Sequence, residues 1–342
     1  MEALQHPVQQ VSGVFAVLVN SLLIYLIVFH SPKNLGAYRY LMMYISVFEI
    51  VYALIDVIVS PVLYSRDSGL LAVLDSSRSG IPIQVLFVLN VLFCGSFGTS
   101  MAIFAIHFVF RYLIVKGNKK LTSSRPLTIL VWLLISLVYG AIWSTICITT
   151  LFPTEQSDRF LEQTYLKKYP GSVDDLTYFG PYFYPADRLN WKPCLGIAGC
   201  SLIMSVSSVT MVYCGIKCYN RINNLVRSTS QSNRYKTLQS QFLSALIVET
   251  LVPVFLMHIP AAVAYAACFL DSSTELIGHV LTISIALYPA VDPLPTIIII
   301  SSYRNAVLKW IAKLLNGVSF VQQLVGTATV SSDSEDTEME VL

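Results

Sequence analysis

Charge is what this chain has least of. Only 12% of its 342 residues are Asp, Glu, Lys or Arg, against about 25% in an ordinary soluble domain. A soluble fold of this size could not cover its surface with so few charges. With 55% hydrophobic residues and a mean hydropathy of +0.64, an integral membrane protein is the class that remains. The net charge of +2 is too small to point to a nucleic-acid partner, and none is expected. Metal-ligand spacing is missing too. The seven cysteines (Cys94, Cys147, Cys194, Cys200, Cys214, Cys218, Cys268) lie mostly inside apolar runs, and Cys214 and Cys218 have no second pair to complete a site. They read as small core residues. There is no Gly-rich phosphate loop, nucleophile triad or zinc constellation, so neither an enzyme nor a cofactor is expected. No basic start with a small-residue cleavage site occurs, so the first apolar run is expected to begin insertion itself. No Asn-x-Ser/Thr sequon occurs either.

What the chain does have is seven long apolar runs. They extend from about Val8 to Phe29, Tyr40 to Tyr64, Ile81 to Val115, Leu127 to Leu151, Pro193 to Cys218, Phe242 to Leu270 and Leu276 to Ser302. Each reaches the ~20 residues that a membrane-crossing helix needs. The expected fold is therefore all-α: a seven-transmembrane bundle over residues 1–302. The third run is the organising one. At ~1.5 Å per residue it outlasts a ~30 Å hydrocarbon core, so it must tilt or protrude. It ends in His107-Phe-Val-Phe-Arg111-Tyr112, after which the chain turns basic.

The loops suggest orientation. With the amino terminus outside, the inner segments carry fifteen Lys and Arg residues and the outer ones seven, the latter offset by acids. The positive-inside rule therefore favours an external amino terminus and an internal carboxyl terminus. The longest loop, 152–192, would be external. It holds Phe179-Gly-Pro-Tyr-Phe-Tyr-Pro185 and many acids. It reads equally as a folded lid over the bundle or as aromatics resting on lipid headgroups. Residues 303–316 place Val307, Leu308, Trp310, Ile311, Leu314 and Leu315 on one helical face and Asn305, Lys309 and Lys313 on the other. That pattern predicts an amphipathic helix on the inner membrane surface, with membrane lipid as its partner. Residues 317–342, whose last stretch carries five acids among Ser and Thr, read as a disordered cytoplasmic tail open to phosphorylation.

Ionisable groups at bilayer depth cost ~2.5–3.5 kcal/mol each on insertion scales, so each is a functional candidate. Glu49 and Asp56 lie two turns apart on one face of the second run. Asp292 sits among Pro289, Pro293 and Pro295 in the seventh, where the backbone ladder must break. Asp56 with Asp292 reads as a polar cluster that repacks on switching, or as a protonated, hydrogen-bonded core pair; Glu49 is the weaker candidate. His107 reads as a core histidine. Pro253 and Pro260 predict a kinked sixth helix, and an outward swing of its inner end would open a crevice with a basic rim.

These stretches, in order, resemble nematode seven-transmembrane chemoreceptors of the Str class, the class containing the worm diacetyl odorant receptor. The likeness rests on Lys33-Asn-Leu-Gly-Ala-Tyr-Arg-Tyr-Leu41, His107-Phe-Val-Phe-Arg-Tyr112, Leu238-Gln-Ser-Gln-Phe-Leu-Ser-Ala-Leu246 with Pro253, Leu287-Tyr-Pro-Ala-Val-Asp-Pro293, and Tyr303-Arg304. It covers nearly the whole chain. It implies a G-protein-coupled receptor in the plasma membrane of sensory-neuron cilia, taking a small volatile or water-soluble ligand and activating a heterotrimeric G protein of the Gi/o kind. Arg111-Tyr112 is similar to the Arg-Tyr that closes the third helix of rhodopsin-like receptors, although Phe110 replaces the preceding acid. Asp292-Pro293 resembles the Asn/Asp-Pro of the seventh helix, with Ile297 where a Tyr is usual and Tyr303-Arg304 following. Coupling and switching would thus fall to Arg111, Tyr112, Asp56, Asp292, Pro293, Tyr303 and Arg304. The usual disulfide is not expected, since the long loop has no cysteine; Cys194 with Cys268 is the substitute pair. Aligning on Arg111, Pro260 and Pro293 implies a ligand wall of Phe93, Cys94, Phe97, His258, Ala262, Tyr265 and Thr282. Two other classes stay open: a seven-helix ligand-gated cation channel, whose amino terminus would be inside, and a small-molecule transporter.

Overall fold

The computed structural model describes residues 2–32, 35–227 and 233–315. The acidic tail expected at 317–342 lies outside these residues, as does Lys33. Seven helices are long and apolar enough to cross a bilayer: Leu4–His30, Tyr38–Val59, Ile83–Lys116, Pro126–Thr150, Trp191–Asn224, Lys236–Phe269 and Glu275–Ile299. The seven-helix expectation therefore holds. The third and seventh have over half of their most apolar window buried (56%), the fourth and fifth only 17% and 22%. The third helix is the central post, and the fourth and fifth present Leu, Ile and Val outward, as lipid-facing helices do.

The second helix stops at Val59 rather than continuing to Tyr64. Pro61 disfavours helical geometry in the residue before it, and Ser60 takes a left-handed conformation (φ 42°). The chain that follows is not helical. Val62–Arg66 (β1), Gly69–Asp75 (β2) and Leu176–Phe179 (β3) form an antiparallel sheet in the order β1-β2-β3. The β1–β2 hairpin turns through Asp67 (φ 50°) and is tied to the start of the seventh helix by Asp67 N donating to Ser273 O at 3.0 Å and Ser273 N donating to Asp67 O at 3.2 Å. β2 is buried on both faces, which explains its unbroken Leu-Leu-Ala-Val-Leu.

The 152–192 segment, called the lid here, supplies β3 and packs helices against this sheet. Thr154 and Ser157 form a reciprocal capping box that starts the lid helix Glu155–Gln163. Phe160, Leu161, Tyr165, Leu176 and Tyr178 bury themselves against Tyr64, Leu71 and Val73 in a small separate core. Tyr178 donates 2.7 Å to Asp158 Oδ1, and burial raises its hydroxyl above the ordinary tyrosine range. Gly180 has φ 156°, and any Cβ there would collide with the Leu70 carbonyl. Only glycine lets the lid backbone lie so close to β2.

The sixth helix opens into a π turn, Val254–His258, between Pro253 and Pro260. The seventh runs as Glu275–Val291 and Pro293–Ile299, then breaks at Ile300, whose backbone is extended (ψ 109°). A final helix occupies residues 301–315. Tyr303, Ala306, Val307 and Trp310 pack on the bundle, while Leu308, Ile311, Leu314 and Leu315 stay exposed.

Candidate functional site

Two regions of this bundle gather unusual chemistry. The first surrounds Arg111. Its side chain is not at the mouth of the helix but 1% exposed within the bundle. Nη2 donates 3.0 Å to the Gln239 carbonyl of the sixth helix. The guanidinium lies 4.9 Å from the Tyr38 ring centroid and 5.3 Å from that of Phe242. His107 fixes the Tyr38 ring. Its Nε2–H donates to Leu41 O (3.2 Å), so Nδ1 is the acceptor facing the Tyr38 hydroxyl (3.4 Å). The core-histidine reading of His107 therefore holds. Tyr112, next in the chain, points elsewhere and packs half-buried against the main core. Tyr38, Gln239 and Phe242 were not singled out from the sequence. They stand in two of the stretches that carry the family resemblance, and that was their one legible signal.

Behind Arg111 lies a polar layer. Pro293 has no N–H for the carbonyl of Pro289, and Asn20 Nδ2 of the first helix donates to that oxygen instead, at 2.9 Å. The Asp292 carboxyl lies beside that of Glu49, which accepts from the Tyr288 hydroxyl at 3.3 Å. Asp56 was expected to be the partner of Asp292. It sits two turns further along the second helix, beside Gln9 of the first. Helical phase put Glu49 and Asp56 on one face, but depth decides which of them meets Asp292. Thr296 donates a short hydrogen bond to Glu249 on the sixth helix. Tyr303 bonds Ser31 at 2.6 Å, and Arg304 Nη1 donates 3.0 Å to Ile298 O, across the break at Ile300.

The second region is a cavity of about 80 Å³ beneath the sheet. Phe93, Cys94, Phe97 and Tyr265 line it as expected, together with Trp143, Ala261 and Leu281. Three expected residues do not. Ala262 faces outward, and its neighbour Ala261 lines the space. Thr282 is buried in structural work, accepting from Leu63 N at 3.1 Å and donating to Gly278 O at 3.0 Å. His258 lies behind Phe97, ring centroids 5.3 Å apart. Its Nδ1–H donates to the Pro253 carbonyl at 2.7 Å, which leaves Nε2 a buried acceptor with no partner. The cavity is thus apolar, with a hydroxyl on Tyr265 and an unsatisfied imidazole nitrogen one ring away.

Cys194 and Cys268 form no disulfide. The Cys194 thiol donates to Asn190 O (3.3 Å) and the Cys268 thiol to Gly69 O (3.4 Å). The β1–β2 hairpin and the lid hold this end of the bundle together, in the place of that covalent tie. Among the described residues, no cluster of His, Cys, Asp and Glu is arranged to hold a metal ion.

The profile of the serpentine type 7TM GPCR chemoreceptor Str family matches residues 5–308. The G-protein coupled receptor str-217 of Caenorhabditis elegans is 31% identical over 312 residues, covering 90% of both chains. Serpentine receptor class r-10 of the same worm is 27% identical over 291 residues, 84% of this chain and 85% of that one. Its counterpart in Caenorhabditis briggsae is 26% identical over 299 residues. With seven spanning helices and a family match along nearly its whole length, this chain is a multi-pass membrane protein belonging to the Str family of serpentine chemoreceptors.

Proposed function

We propose that the protein is a chemosensory G-protein-coupled receptor, with the sheet end outside the cell and the Arg111 end facing a heterotrimeric G protein. Its setting would be the plasma membrane of a sensory-neuron cilium. The ligand is a small, weakly polar molecule bound beneath the sheet. Tyr265 offers it a hydroxyl, and His258 Nε2 accepts from any O–H or N–H that reaches past Phe97.

The observation that carries this reading is the buried clamp on Arg111. A charge-assisted hydrogen bond is worth about 1.5–3 kcal/mol, and each cation–π contact about 0.5–2 kcal/mol. The clamp thus holds the sixth helix against the third by a few kcal/mol, the scale that a ligand's differential affinity can overcome. The same sixth helix lines the ligand cavity through Ala261 and Tyr265, with the π turn between the two regions. A ligand that shifts Tyr265 re-aims the helix at that turn. The Arg111 end then swings out, Gln239 and Phe242 leave, and Arg111 is free for the Gα subunit. Glu249–Thr296 on the moving helix and Glu49–Asp292 on its neighbours repack as it goes.

The test is nucleotide exchange on a Gi/o-type heterotrimer, in membranes holding surface-verified receptor, across a panel of small volatiles and water-soluble metabolites. One compound should stimulate exchange, and Arg111→Ala should abolish the stimulation. Ligand-evoked current in cells without functional G protein would overturn the reading in favour of a channel.

A further inference from the structure

A second cavity, larger than the apolar one, lies at the same end of the bundle. A space of about 330 Å³ opens between the starts of the first and seventh helices, the end of the second, the sheet and the lid. At ~30 Å³ per water molecule it has room for about ten waters or one small organic molecule. Its walls differ in kind. Val57, Val59, Val62 and Val73 make one apolar side. Gln5, Gln9, His6 and His279 supply polar groups to the same lining.

Arg78 is the cation of this space. Its guanidinium is stacked 4.4 Å from the Tyr169 ring of the lid, which fixes its plane. Nε faces Asp75 Oδ2 at 3.4 Å. The two terminal nitrogens, the fork that grips a carboxylate in bidentate fashion, make no hydrogen bond among the described residues. Asp75 is the one acid among the described residues of the lining. Oδ1 accepts from Ser77 N (2.9 Å), Ser77 Oγ (2.6 Å) and Arg78 N (3.4 Å), and Oδ2 faces Arg78. The donors of this described wall outnumber the acceptor positions that Asp75 leaves open. That imbalance selects an anion, and the valine wall selects an aliphatic body.

We infer that this vestibule is a second binding site, for a short-chain aliphatic carboxylate held by Arg78. The occupant would be well placed to act on the bundle. Gln9 joins the vestibule to Asp56 and, at 3.2 Å, to Pro61 O, and Gln5 Oε1 accepts from His279 Nδ1 at 2.8 Å on the seventh helix.

Binding is read without any G protein, so the result is separate from the receptor reading above. The full-length protein in lipid nanodiscs is melted against increasing sodium pentanoate, with sodium chloride at equal ionic strength as reference. A ligand that binds only the folded state raises Tm in a saturable way. Pentanoate should do so, and uncharged pentanamide should not. Arg78→Gln should weaken the apparent affinity at least tenfold. Arg159→Gln, which removes an exposed arginine elsewhere on the lid, should leave it unchanged. If Arg78→Gln fails to fold, Tyr169→Leu keeps the charge, removes the ring beneath it and should weaken binding severalfold. The inference is overturned by no saturable rise with the wild type, by an equal rise with pentanamide, or by undiminished affinity in both Arg78→Gln and Tyr169→Leu.

Discussion

The two ends of this bundle are closed by different means. The sheet end is closed by backbone. A hairpin crosses the mouth, a third strand pairs with it, and a lid with its own small core lies on top. Ion pairs add to it: Glu275 takes Lys168 of the lid at 2.8 Å and Arg66 of β1 at 3.7 Å. At the Arg111 end the described contacts run through side chains, above all one guanidinium that meets two rings and a backbone carbonyl. Opening the first would unmake strand pairing and a buried core together. Opening the second breaks contacts worth a few kcal/mol. A closure of the first kind holds cavities in fixed shape. One of the second kind switches.

If this contrast is right, perturbations at the two ends should read out differently. Arg111→Ala should have the largest effect, removing ligand-stimulated nucleotide exchange while surface expression stays near wild type. Retained stimulation would show that the clamp is structural. Gly180→Val should be the most damaging change at the other end, since its side chain has nowhere to go but into the Leu70 carbonyl. Strain of this kind costs about 1–3 kcal/mol, so melting in detergent should fall by several degrees and surface delivery should drop. A normal melt would mean that the lid does not need the sheet. Phe242→Leu should loosen the clamp by one cation–π contact, about 1 kcal/mol, while keeping most of the buried volume, and so raise ligand-independent exchange severalfold without lowering Tm comparably. Glu275→Gln should matter least, because exposed pairs are worth about 0–1 kcal/mol. Reduction with dithiothreitol should leave the wild-type melt unchanged; a disulfide between Cys194 and Cys268 would contribute about 2–4 kcal/mol and show itself as a drop.

The spans were legible because crossing a bilayer imposes about twenty apolar residues on each helix, and no local context overrides that. The sheet was not. Val62-Leu-Tyr-Ser-Arg66 continues the apolar run of the second helix, and a short apolar run does not declare whether it is strand or helix. Ser60-Pro61 was the break to notice. At the candidate site, Phe93, Cys94, Phe97 and Tyr265 came from aligning the chain on Arg111, Pro260 and Pro293 under the family resemblance, and all four line the cavity. The alignment named Ala262 where its neighbour Ala261 lines the cavity, since the rotation of a helix about its axis is set by packing.

Sequence alone therefore determined what each segment is: seven membrane helices, a kink at Pro253 and Pro260, a basic end beyond Arg111 and the polar residues that had to be buried. Which of these meet was decided by tertiary structure. Asp292 found Glu49 and not Asp56, Arg111 found Tyr38, Gln239 and Phe242, and Arg78 was left facing a space. The reason is physical. Hydropathy and proline act within a segment, so they can be read along the chain. A partner depends on depth and rotation between helices, and those are set only when whole surfaces pack.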